Sequence, residues 1–124
     1  MKVVLHTEED IELKEMFEPG IEIESDDPTV PFSSLQMFVA AVGLCTFSVL
    51  ASYAEQIDAP PDTMTIRLRW SYVEDPFRVG EIDMEVRWPT LPDSRLEAAR
   101  RAAAQCTLHN TLTHPPRITT VVEK

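Results

Sequence analysis

Between Asp27 and Glu55 the chain carries no charged side chain, and this stretch constrains the fold more than any other. Within it, Leu35 to Ala54 is almost wholly apolar and approaches the ~20 residues that cross a bilayer. Gln36, Gly43, Thr46, Ser48 and Ser52 interrupt the run, and acidic residues flank it where a membrane span would favour Lys and Arg. Outside lipid, a helix this apolar around its circumference has to be buried in protein. Its start is marked by Ser33 as N-cap with Gln36 three residues later, the pattern of a capping box, and its stop by Asp58-Ala59-Pro60-Pro61. A helix from Ser33 to Ile57 would be roughly 35 Å long. One chain of 124 residues can hardly cover all of it, so an obligate homodimer is expected.

The remaining composition narrows the class. The length suits one domain over residues 1–124. Eleven Lys and Arg against 21 Asp and Glu leave a net charge of −10, which repels phosphate backbones and anionic lipid, so neither nucleic acid nor membrane is an expected partner. Three glycines cannot build a phosphate cradle, and two cysteines cannot build a disulfide framework. The opening MKVVLHTEEDIELKEMF turns acidic too early for a signal segment, so a cytoplasmic location is expected.

Strands are expected at Lys2–Thr7, Ile11–Phe17 and Ile21–Ser25, separated by Glu8-Glu9-Asp10 and Glu18-Pro19-Gly20. After the long helix, Met64, Ile66, Leu68, Trp70 and Tyr72 alternate with polar residues, and Ile82, Met84, Val86 and Trp88 do the same on a return strand. A three-residue turn at Glu74-Asp75-Pro76 would set Arg69 opposite Glu81 and Arg67 opposite Asp83, and such cross-strand ion pairs account for both arginines. A second helix opens at Pro92-Asp93, carries Leu96, Ala99, Ala103 and Cys106 on one face, and ends at His114-Pro115-Pro116. Ile118–Val122 reads as a final strand. The expected order is β-β-β-α-β-β-α-β, an α+β fold of antiparallel sheets around a long central helix.

Cys45 falls in the middle of the long helix, on the face of Phe38, Val42 and Val49, and Cys106 lies on the second helix. Taken singly, each reads as a small buried hydrophobe. Cys106 and His109 lie three apart and could join Cys45 around zinc, but no second pair at ligand spacing exists, so no metal or other cofactor is expected. The residues alone leave open whether the thiols do chemistry.

Their surroundings resemble a known family. The run Gln36-Met37-Phe38-Val39-Ala40-Ala41-Val42-Gly43-Leu44-Cys45-Thr46 is similar to the E-L-L-L-A-A-L-G-S-C-T helix of OsmC/Ohr proteins, the osmotically induced and organic hydroperoxide resistance proteins. Cys106-Thr107-Leu108-His109-Asn110-Thr111-Leu112 is similar to their C-P-V-H-R-T-L. The resemblance spans about Gly20 to Val122 and implies an intertwined OsmC-like homodimer. It also implies a thiol-dependent peroxide reductase in which Cys45 attacks the peroxide and Cys106 resolves the sulfenic acid to a disulfide, with an external thiol reductant. The family's activating arginine, from the amino-terminal part, is missing, because the first arginine here is Arg67. Gln36 occupies the position of the glutamate that holds that arginine. His6, Lys14 and His109 are the candidate replacements, and Gln36 and His109 the candidate binding residues. A non-catalytic member of the fold, binding an apolar ligand, is the alternative.

Overall fold

The computed structural model describes residues 1–124. Five strands form one sheet in the order β3-β1-β2-β4-β5: β1 (Lys2–Thr7), β2 (Asp10–Lys14), β3 (Glu22–Ser25), β4 (Thr65–Val73) and β5 (Arg78–Arg87). All neighbours are antiparallel except β3, which runs parallel to β1. The α+β class holds, with a single mixed sheet where antiparallel sheets were expected.

The long helix α1 (Ser34–Ile57) begins as the capping signal predicts. Gln36 Oε1 accepts the Ser33 N–H at 3.0 Å and the Ser33 hydroxyl at 2.8 Å, while its Nε2 donates to the Glu8 carbonyl at 2.8 Å. One side chain thus fixes both the helix start and its position against the β1–β2 turn. The helix ends at Asp58 in the left-handed conformation (φ 53°), ahead of the proline pair. Its buried side carries Gln36, Val39, Ala40, Gly43, Phe47, Leu50 and Ala54, the three- and four-residue spacing of one face. A Cβ on Gly43 would stand 2.7 Å from Leu13 Cδ1 and 2.8 Å from Leu68 Cδ1, so the glycine lets the helix seat directly on β2 and β4. Although α1 is long and apolar enough to cross a membrane, this face is spent on the sheet.

Strand alternation separates the sheet's two faces. Val3 and Leu5, Ile11 and Leu13, and Ile66, Leu68 and Trp70 point to the helix side and are buried. Arg67 and Arg69 point the other way, yet the expected ion pairs are displaced. Their cross-strand neighbours are Glu85 and Asp83, two residues beyond the expected register. The turn is one residue longer than expected, and a bulge at Gly80 adds the second, so the faces are kept and the partners change. Gly80 is required there, because a Cβ would stand 2.5 Å from Val73 Cγ1. Both arginines turn instead to Asp10 on β2. Arg67 grips it with Nε–Oδ1 at 2.7 Å and Nη2–Oδ2 at 2.8 Å, and Arg69 Nε lies 3.4 Å from Oδ2.

The second helix is divided. A 3-10 turn (Asp93–Arg95) leads into α2 (Leu96–Ala103), which stops short of the cysteine, and a separate short helix α3 (Thr107–Thr113) follows. Cys106 is therefore the N-cap of α3 and not a helix-face residue as expected. Ile118–Val122 forms no strand. It is exposed and pairs with no strand of the sheet.

Candidate active site

The packing of α3 against α1 brings Cys106 to Cys45, and the two free thiols adjoin. Cys45 is half-buried and Cys106 is fully buried. As an N-cap, Cys106 faces the N–H groups of the first turn of α3, which have no acceptor within the helix. The His109 N–H donates to its Sγ at 3.4 Å.

Acidity and access are split between the sulfurs. Burial pushes the Cys45 thiol up, and its hydrogen bond to Cys106 adds to the rise; the N–H groups of Leu108 and Thr107 pull it down without offsetting this. Burial works against ionisation of Cys106 as well. Hydrogen bonds from Cys45, the His109 N–H, the Thr46 hydroxyl and the Leu108 N–H outweigh it and leave this thiol below the ordinary range. The Thr46 hydroxyl has one proton to give, to this sulfur or to the Val42 carbonyl 3.1 Å away. The thiol held lower is thus Cys106, while the sulfur that solvent can reach is Cys45.

No side chain of the strands supplies the cation that the thiols would use. Arg67 lies on the sheet face opposite α1, bound to Asp10. His6 and Lys14 share that outer face, and each lies 3.6 Å from Glu12 Oε1. Gln36 is committed to Ser33 and Glu8. His109 is near the thiols, contributing its backbone N–H to Cys106 and its side chain to an adjacent groove. The sequence reading missed Thr46 and the N–H groups of Thr107 and Leu108. They become visible only once the break before α3 is known. No group of three His, Cys, Asp or Glu side chains, at the thiols or elsewhere, is placed to hold a metal ion.

The groove has a volume of about 630 Å³ and lies between α1, β5 and α3. Phe38 and Val42 line it from α1, seven and three residues before Cys45 and so on its side of the helix, and Thr46 and His109 line it beside Cys106. Neither cysteine lines this mainly apolar groove itself; it lies beside them, walled by their neighbours in α1 and α3.

A helix-on-sheet domain with two adjoining free thiols beside an apolar groove has the build of a paired-thiol protein. The chain belongs to the OsmC-like protein family, whose model matches residues 25–121. The fold is similar to that of an osmotic stress induced and detoxification response protein from Psychrobacter arcticus 273-4, with TM-score 0.62 and 16% identity over 88% of this chain and 84% of that one. It is also similar to an OsmC-like hydroperoxide resistance protein from Jannaschia sp. CCS1, with TM-score 0.59 and 16% identity over 82% of this chain and 72% of that one. At such identity the likeness speaks for the fold alone. None of the curated proteins matches the chain.

Proposed function

We propose that this protein reduces organic hydroperoxides through a dithiol–disulfide cycle of Cys45 and Cys106. The observation that carries the reading is the adjoining pair, with the accessible sulfur on the groove side of α1. The Cys45 sulfur, its proton passed to the adjoining Cys106 thiolate, attacks the terminal peroxide oxygen; the O–O bond breaks, the alkoxide leaves and takes a proton from solvent to become the alcohol, and Cys45 is left as a sulfenic acid. The Cys106 sulfur then displaces hydroxide, which is protonated to water, and a disulfide forms. A dithiol reductant returns both thiols. The family membership and the hydroperoxide resistance ascribed to the Jannaschia protein support the same chemistry.

The test is a free-thiol count on reduced protein given tert-butyl hydroperoxide. Two thiols should disappear for each hydroperoxide consumed, and Cys106→Ser should accumulate a dimedone-reactive sulfenic acid at Cys45. Retention of both thiols under excess hydroperoxide would refute the reading. The raised Cys45 thiol and the missing arginine favour one second reading, a non-catalytic protein whose groove holds an apolar ligand.

The working form in this proposal is a homodimer in the cytoplasm. Free thiols suit a compartment that keeps cysteine reduced. Met37 and Ala41 of α1 are exposed, as are Ile118, Val121 and Val122 in the carboxy-terminal segment, and β5 is an open sheet edge. A second copy would cover these surfaces. A folded species near 14.0 kDa by light scattering at micromolar concentration would refute the dimer.

A further inference from the structure

Thr46, only 3% exposed, is with Gln36 one of the two buried polar side chains, and it follows Cys45 directly in α1. Gln36 is accounted for by the helix start. The Thr46 hydroxyl is not needed by the fold in that way: the Val42 carbonyl, 3.1 Å from it, already receives the backbone N–H of residue 46 within the helix. The same hydroxyl reaches the Cys106 sulfur, and it has one proton for the two acceptors. A hydrogen bond to an ionised acceptor is roughly twice as strong as one between neutral groups, so a thiolate takes that proton from the carbonyl. A neutral disulfide sulfur is a weak acceptor and gives it back.

Resting on the dithiol–disulfide cycle above, we propose that Thr46 is a positioning residue for the resolving step: its hydroxyl turns from the Val42 carbonyl to the Cys106 sulfur when that sulfur is ionised, and back when the disulfide forms. It thereby favours the reduced pair over the disulfide and keeps Cys106 in the form that attacks. In that attack the Cys106 sulfur bonds to Cys45, the S–O bond of the sulfenic acid breaks, and hydroxide leaves to be protonated to water. The other titratable groups about this sulfur are Cys45 on α1 and His109 on α3, whose backbone N–H also meets it. From α2, Arg100 pairs with Glu97 and Arg101 is exposed, while Glu81 of β5 faces Ser71 on the sheet side away from α1. One hydrogen bond to a charged sulfur changes the thiolate population by about tenfold. A less acidic thiol is intrinsically more nucleophilic and recovers part of this, so loss of the hydroxyl should slow resolution by about threefold.

The experiment has one arm that needs no hydroperoxide. Reduced protein is equilibrated with glutathione disulfide, so that two protein thiols become the Cys45–Cys106 disulfide as one glutathione disulfide becomes two glutathione molecules. At about pH 9, above the usual thiol value of about 8.5, Thr46→Val should move this equilibrium about fivefold toward the protein disulfide. At about pH 6, where thiols are largely protonated, the shift should shrink toward none. Thr46→Ala removes the hydroxyl without crowding and should behave alike, whereas Thr46→Ser keeps it and should match the unmodified protein. In the second arm tert-butyl hydroperoxide is added with dimedone at neutral pH, and the share of Cys45 trapped as sulfenic acid should rise about threefold in Thr46→Val. If the equilibrium stays put in Thr46→Val and Thr46→Ala, or moves as far in Thr46→Ser, the role of Thr46 is wrong and hydroperoxide reduction stands. The same holds if the shift is as large at about pH 6 as at about pH 9, since a merely structural loss would act at both. If hydroperoxide consumes no thiols and leaves no sulfenic acid in any of these proteins, the activity is refuted and the resolving role with it.

Discussion

Replacing Gln36 tests whether the residue at the family's glutamate position serves the fold or the thiols. Its amide makes three hydrogen bonds, two to Ser33 and one to the Glu8 carbonyl, from a side chain that is only 3% exposed. Gln36→Leu keeps most of the volume and removes all three. Ser33 and Glu8 are exposed, so water takes up the freed groups, and each bond is worth about 1 kcal/mol rather than a full desolvation penalty. The expected loss is about 2–3 kcal/mol, or about 8–12 °C in Tm for a domain of this size. Gln36→Glu keeps the acceptor for Ser33 at the helix N-terminus and loses only the donor to Glu8, so it should cost about 1 kcal/mol. Urea unfolding reads both as a lower midpoint at unchanged slope. The alkylation rate of Cys45 in the folded protein should not move. A Gln36→Leu protein within about 0.5 kcal/mol of the original, or one whose Cys45 reactivity changes severalfold while the fold persists, would refute the structural role.

Two further outcomes follow from the site and the sheet. In a Cys106→Ser background, burial still raises the Cys45 thiol, so its iodoacetamide alkylation should be slow at neutral pH and climb through the alkaline range; a midpoint below about 7 would show that another group has replaced the arginine. Asp10→Asn should cost about 1–2 kcal/mol, less than a buried charged pair because Arg67 and Arg69 are 33% and 52% exposed. The hydrogen bond from Arg67 holds the folded Asp10 carboxyl below its ordinary range, so its stabilisation is present above about pH 3.9 and is lost as pH falls through the folded value. The acid limb of stability against pH should therefore flatten in the Asn variant, and an unchanged limb would refute the linkage.

The legible parts of the fold were those written in one segment. The charge-free run and its caps located α1, and alternation found β1, β2, β4 and β5 with their inward faces, because each signal reports the residue's own burial. Register was not legible. It depended on a turn one residue longer than expected and on a bulge at Gly80, whose need for glycine comes from Val73 across the strand. Likewise Ile118–Val122 has strand composition without a strand, since composition does not say whether a segment finds a partner to pair with.

The site divided along the same line. Both cysteines could be found from their motifs, but the opposite shifts of the two thiols could not, because those depend on where α3 begins. In the family pattern the residue after the second cysteine is proline, the residue most at home in the first position of a helix. Here Thr107 takes that place, and with it goes the one local signal that a new helix starts after Cys106. The run Ala102-Ala103-Ala104-Gln105 contains neither glycine nor proline, so by composition the helix should continue. The break nevertheless sets Cys106 as N-cap before free N–H groups, and these lower one thiol where no arginine is present to lower the other. Replacing proline by threonine also gives residue 107 an N–H, which is one of the two backbone donors acting on Cys45.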